Sequence, residues 1–219
     1  MIEKGDPDWF QAFGQVGLFI SLLMAFLLPP FLGGSTLALH LFVILSLAFV
    51  LVTTIAFKRP FRILAPLAFV ELFATAQLMI TETPDAIVFF YISSAIFFAA
   101  LVVSFVIQLF SETNVNGKLL LASVNIYFAL GIVFAMIFGL IDQIAPGSFS
   151  VTASVPDGPN STDFMYFSLV TLSTLGYGDI LPLSDQARTL AAVEALAGQV
   201  YLTIAVARLV GLHVSRSHA

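Results

Sequence analysis

Long apolar stretches separated by short polar or proline-bearing breaks dominate this chain, and several have the length a helix needs to cross a bilayer. A hydrocarbon core of about 30 Å takes about 20 mostly apolar residues at about 1.5 Å rise each. Six such runs are present. The first covers about Phe10 to Leu28 and stops at Pro29-Pro30, and the second runs from about Thr36 to Phe57 and stops at Lys58-Arg59-Pro60. The third, about Ile63 to Ile80, contains Pro66 and Glu71. The fourth extends from about Ala86 to Phe110, the fifth from about Leu119 to Ile141, and the sixth from about Asp185 to His213. Between the last two lies Asp142 to Ser184, too polar and too rich in Pro and Gly to span. Inside it, Thr162 to Thr171 follows the cap-type residues Asn160-Ser161 and predicts a short helix of half-membrane length.

Composition says what solvent these runs face. Of 219 residues 59% are hydrophobic and 10% are charged, against about 25% charged in soluble domains. With a mean hydropathy of +1.04, lipid must be the solvent. The absence of Cys excludes a disulfide framework and a Cys-based metal site. Met1 to Asp8 is acidic and does not read as the basic start of a signal peptide. No nucleic-acid partner is expected.

Orientation follows from Lys and Arg placement. Lys58, Arg59 and Arg62 lie between runs two and three, Lys118 precedes run five, and Arg208 and Arg216 lie at or just beyond the end of run six. These connections are expected in the cytoplasm. The opposite connections carry no charge (Pro29 to Ser35) or only acids (Thr81 to Asp85). The segment after run five adds Asp142, Asp157, Asp163 and Asp179, with Arg188 as its one basic residue. Six spans with both termini cytoplasmic satisfy this pattern, and the segment holding the short helix then enters from outside.

Directly after that helix comes Thr174-Leu175-Gly176-Tyr177-Gly178-Asp179. It resembles the Thr-Val-Gly-Tyr-Gly loops of the potassium-channel superfamily, whose backbone carbonyls replace the hydration shell of the ion. Leu175 stands where Val is commoner, a change in packing that leaves the backbone ligands alone. The resemblance implies a selectivity filter that binds K+ through Thr174, Leu175, Gly176, Tyr177 and Gly178. Gly176 and Gly178 suit such a loop because they take positive φ without a Cβ clash. It further implies a homotetramer, each chain having three identical partners around one pore, and no cofactor beyond the permeant K+.

The flanks extend the likeness. Tyr166 to Thr171 takes the place of the family's pore helix, and Val170 and Thr171 support the filter from its end. Asp179 follows the filter where the family places a carboxylate bonded to an aromatic donor, a role that falls here to Tyr166. Gly198 stands where the family has a hinge glycine, and close helix packing is the plain alternative. Gln199, Thr203, Val206 and Val210 recur about a helical turn apart and by resemblance line the cavity and exit.

Two carboxylates lie well inside spans and are functional candidates by that placement. Glu194 is in reach of Ser168 or Thr171 behind the filter, as a structural link or as a charge that acts on it. Glu71 has Arg62, Gln77 and Asn125 as possible partners. His40, His213 and His218 read as one buried and two solvated residues.

Voltage-gated relatives with six spans carry regularly spaced basic residues in the fourth, whereas Ala86 to Phe110 has no Lys, Arg or His. Moving one charge through 100 mV is worth about 2.3 kcal/mol, so steep gating needs several charges per subunit. Weak or absent voltage dependence is expected. The link Ser111 to Lys118, with Asn116-Gly117, reads as a turn rather than a coupling helix, which argues against mechanical coupling to the pore. No soluble ligand domain is expected after run six.

The expectation is thus an all-α membrane protein with six transmembrane helices, a re-entrant pore helix and a filter loop. Residues 1–118 form a four-span N-terminal bundle and 119–219 the pore domain, in the bacterial inner membrane. It is not expected to be an enzyme. Gly176-Tyr177-Gly178-Asp179 also fits the Gly-x-Gly-Asp pattern of intramembrane aspartyl proteases, but these need a second Asp sharing a proton, and runs one to five hold no central Asp. A non-conducting membrane scaffold subunit is the other alternative.

Overall fold

The computed structural model describes residues 8–31, 64–81, 83–112, 115–151 and 159–217. Its elements are α1 (Asp8–Phe31), α2 (Leu64–Thr81), α3 (Pro84–Ser111), α4 (Gly117–Ile144), β1 (Phe149–Val151), α5 (Ser161–Leu172), β2 (Ile180–Pro182) and α6 (Asp185–Ser217). The second apolar run, Thr36 to Phe57, lies outside the described residues, as do His40, Lys58, Arg59, Arg62 and Asp157. Among the described residues, α2, α3, α4 and the Asp185–Leu212 part of α6 are long and apolar enough to cross a membrane, and α1 carries the shorter apolar run Phe13–Leu28. The chain is an all-α membrane protein.

Helix ends follow local chemistry. α3 starts where the Thr83 side chain accepts from the Ala86 N–H at 3.3 Å, with Pro84 in the first turn, where its missing N–H costs nothing. The Asn116 side chain accepts from the Leu119 N–H at 2.9 Å and opens α4, so the 111–118 link passes from one helix cap to the next. α1 runs through Pro29 and Pro30 and ends at Phe31, one residue beyond the expected stop. Each proline leaves a carbonyl one turn earlier without its helix donor, and the helix ends within that turn.

α3 against α4 is the most extensive helix contact, with α2 on α3 and α1 on α4. Phe97, Phe98, Leu101, Phe105 and Leu109 of α3 interlock with Leu119, Ala122, Ile126, Ala129 and Ile132 of α4, and Leu18 and Leu22 of α1 close the cluster. The outer faces keep Phe69, Phe73, Ile96, Val103 and Ile107 exposed, which suits helices solvated by lipid.

Glu71 is fully buried; of its expected partners Arg62 lies outside the described residues, and the hydrogen bonds Glu71 accepts come from elsewhere than Gln77 and Asn125. The Ser93 and Ser94 hydroxyls of α3 donate to Glu71 Oε2 and Oε1 at 2.8 and 2.6 Å. Asn125 Nδ2 instead donates to the Gln15 carbonyl at 3.2 Å, and Gln77 is exposed. Two adjacent serines in an apolar run were the available signal, since buried carboxylates need donors.

A two-stranded ribbon was not foreseen. β1 pairs antiparallel with β2, Ser150 opposite Leu181, which ties the chain before α5 to the chain just after the candidate filter. Phe149 on β1 packs edge-on against Phe164 and Phe167 of α5 and Phe138 of α4, with ring centroids 5.1 to 5.6 Å apart. This aromatic wedge fixes α5 between α4 and the ribbon.

Candidate functional site

α5 begins in a capping box. The Asn160 side chain accepts from the Thr162 and Asp163 N–H groups at 2.8 and 3.2 Å, and Asp163 Oδ2 accepts from the Asn160 N–H at 2.8 Å. Twelve residues later the helix stops, after about 18 Å, or half a bilayer.

How it stops shapes the Thr174–Gly178 segment. The Thr174 N–H donates to the Thr171 carbonyl and the Leu175 N–H to the Val170 carbonyl, both at 2.9 Å. This crossed pair is a Schellman closure, which places the residue after the cap in the left-handed region. Thr174 accordingly has φ 58°, with no other non-glycine at positive φ among the described residues. An L-residue there costs roughly 1–2 kcal/mol. Gly176 and Gly178 follow at φ 57° and 78°, so every second residue from Thr174 to Gly178 is left-handed. The Gly176 N–H also donates to the Val170 carbonyl, at 3.3 Å. Val170 and Thr171 thus hold the start of the loop through backbone carbonyls. The sequence indicated left-handed glycines but gave no sign of a left-handed Thr174, which depends on how α5 closes.

Tyr166 Oη donates to Asp179 Oδ2 at 2.7 Å, and the Ile180 N–H donates to Asp179 Oδ1 at 3.1 Å. The Tyr166 hydroxyl holds the Asp179 carboxyl below its ordinary range. In return, that hydrogen bond, ahead of burial and the Asp179 charge, pushes the Tyr166 phenol up to about 12.

Behind the loop, Ser168 of α5 meets two other helices. Its Oγ lies 2.6 Å from the Gly131 carbonyl of α4 and 2.5 Å from Glu194 Oε1 of α6. A serine hydroxyl has one proton and the Gly131 carbonyl has none. Both contacts are hydrogen bonds together only if the Glu194 carboxyl, in its acid form, donates to Ser168 Oγ while Ser168 donates to Gly131. Ser168 and Glu194 are fully buried, and Glu194 Oε2 has no hydrogen-bond partner. Glu194 therefore joins α6 to the middle of α5.

Gly198, one turn further along α6, is buried against the end of α5. A Cβ there would come 2.3 Å from the Leu172 carbonyl oxygen and 3.0 Å from Leu172 Cδ1. Close helix packing therefore requires this glycine, and α6 continues unbroken through it. Gln199 Nε2 reaches Thr174 Oγ1 at 3.4 Å, and the Thr203 hydroxyl donates to the Gln199 carbonyl at 2.8 Å. Gln199, Thr203, Val206 and Val210 form one exposed stripe on α6. The loop from Ser173 to Asp179 is exposed throughout, with Leu175 and Tyr177 55% and 67% accessible in the single chain.

The fold and this arrangement define a class: a helical membrane protein in which a twelve-residue helix and the loop after it sit between two helices long and apolar enough to cross a membrane. Residues 125–213 match the protein family described as Ion channel, Ion_trans_2. The chain is 32% identical over 85 residues to the inward rectifier potassium channel Kirbac3.1 of Paramagnetospirillum magnetotacticum, which covers 37% of this chain and 25% of that protein. It is 31% identical over 114 residues to two-pore potassium channel 1 of Arabidopsis thaliana, covering 52% of this chain and 28% of that protein. The alignments thus span about a quarter of the length of these relatives. No solved structure gives a significant match. The C-terminal part of this chain is thus similar to an ion-channel family and to two potassium channels. These similarities are to channel proteins rather than to proteases.

Proposed function

We propose that the chain is one subunit of a homotetrameric, potassium-selective channel that conducts K+ passively. The carrying observation is the left-handed alternation at Thr174, Gly176 and Gly178, in a loop hung from the end of a half-membrane helix. Alternating hand lets successive peptides present carbonyls to one line, which a dehydrated cation needs. Thr174 to Gly178 are the K+ ligands in this reading. Tyr166, Asp179, Val170, Thr171 and Glu194 support them, and the stripe from Gln199 to Val210 lines the cavity and exit.

One chain supplies one strand of a ring. The exposed loop and the apolar residues left uncovered on α6, among them Leu196, Val200 and Ile204, are the surfaces that three further copies would cover. Residues 1–118 form a four-span bundle and 119–219 the pore domain, giving six spans with both termini cytoplasmic in a bacterial inner membrane. With no basic residue between Ala86 and Phe110, the bundle carries no charge in its fourth span, and voltage does not open the pore steeply.

Purified protein in liposomes, given a K+ or a Na+ gradient, tests this reading. Flux for K+ well above that for Na+, blocked by barium, is expected. Equal fluxes of the two ions, or no flux, would overturn it. A non-conducting scaffold predicts the second result.

A further inference from the structure

The inner helix α6 has two faces with different duties, and one arginine joins the second face to the N-terminal helices. The stripe Gln199, Thr203, Val206 and Val210 is exposed. On the other side of the helix, Tyr201, Ala205, Leu209 and Leu212 pack into the core built by α1, α3 and α4. Arg208 lies on this packed face. At about 100° per residue the two sets are centred about 135° apart. Tyr201 Oη donates to the Ser123 carbonyl of α4, so α6 is anchored once at mid-length. Arg208 anchors it again, two turns further on.

That second anchor closes the end of α3. Arg208 Nε donates to the Leu109 carbonyl at 3.3 Å, and Nη2 donates to the carbonyls of Phe110 and Glu112 at 2.8 and 3.0 Å. The guanidinium carbon lies 5.4 Å from the Phe110 ring centroid. Carbonyls at a helix end lack internal partners and carry partial negative charge. α3 has no basic residue in its own last turn, so the compensating charge comes from α6. A guanidinium suits the task because it stays charged and presents several donors in one plane.

We propose that Arg208 is the positioning residue through which the N-terminal helices set the cytoplasmic end of the pore-lining helix. This rests on the channel reading above. A shift of the α3 end relative to α4 moves the Arg208 face of α6 and therefore the stripe on its opposite side. Coupling runs through this side chain, and the 111–118 turn need not transmit force. The expectation of weak coupling, drawn from that turn, did not include this contact.

The test uses full-length tetramers of wild type, Arg208→Gln and Arg208→Lys in planar bilayers. Arg208→Gln is expected to change open probability about tenfold, equivalent to about 1.4 kcal/mol, with the K+ to Na+ current ratio unchanged. Arg208→Lys, which keeps charge but loses the fork, is expected between the two. The chain has no cysteine, so a nitroxide on Val210→Cys also reports the helix-end position without relying on conduction. Its distances between subunits are expected to shift and broaden with Arg208→Gln. Unchanged open probability and unchanged distances overturn the proposal. An altered ion ratio overturns it too, because the residue then acts on the filter. If neither variant forms tetramers, Arg208 serves assembly and the proposal falls. A wild type that passes no K+ defeats the channel reading, while the nitroxide distances still decide the coupling.

Discussion

Removing the Ser168 hydroxyl is the sharpest probe of the junction behind the candidate filter. Ser168→Ala deletes a group that meets both Glu194 Oε1 and the Gly131 carbonyl. Glu194 is 0% exposed and its Oε2 already lacks a partner, so the variant leaves a carboxyl with no hydrogen bond in an apolar setting. Stranding one buried polar group costs about 1–3 kcal/mol per subunit. Glu194→Gln keeps the shape and offers an N–H where the acid form offers an O–H, so it is expected to stay close to wild type. Replacing both groups by apolar ones, as in Ser168→Ala with Glu194→Leu, is expected to recover part of the loss, because neither partner is then stranded. Thermal loss of the folded protein in detergent, followed by fluorescence and size exclusion, gives the ranking. The reasoning is refuted if Glu194→Gln loses as much as Ser168→Ala, since the carboxyl would then be acting as an ion rather than as a donor.

Further outcomes follow from the same geometry. Gly198→Ala forces a Cβ against the Leu172 carbonyl and is expected to cost about 1–3 kcal/mol by overpacking, read as lower yield and stability; a wild-type yield would restore the hinge reading. Gly176→Ala and Gly178→Ala meet no atom within 4 Å in the single chain, but they place an L-residue at positive φ. Folded yield is expected to hold within a small margin while K+ flux in liposomes falls at least tenfold. The Tyr166–Asp179 bond gives a pH signature. Asp179 is lowered in the fold, so its contribution is present above the ordinary carboxylate value near 3.9 and is lost as pH falls through the lower folded value. Tyr166 is raised from 10 to about 12, so its contribution is full below pH 10 and is lost as pH rises to about 12. Stability of the wild type is therefore expected to hold this pair's full contribution at neutral pH and not to vary with pH there through it, and Tyr166→Phe is expected to remove its alkaline component; an unchanged alkaline limb in that variant would separate Tyr166 from the effect.

Much of the architecture is legible in the chain because apolar run length is a local property. The runs near 63–80, 86–110, 119–141 and 185–213 became α2, α3, α4 and α6 with ends shifted by a few residues, and caps such as Thr83, Asn116 and Asn160 account for several of the starts. The short helix before the loop is legible for the same reason. Contacts across helices are different, because they depend on the rotation and depth of one helix against another, which period and length leave open. Glu71 takes hydrogen bonds from Ser93 and Ser94 of α3, which were not among its expected partners. Gly198 is required by a carbonyl on another helix. Thr174 is left-handed because of how α5 closes two residues earlier. In the sequence Arg208 gives only an orientation signal at the end of the last run, and its acceptors lie about a hundred residues away. The six residues from Thr174 to Asp179 are a message the sequence carries unaided. What holds them, and what holds the helix beneath them, was decided only when four helices and a two-strand ribbon came together, since hydrogen bonds between segments exist only after packing sets their distance.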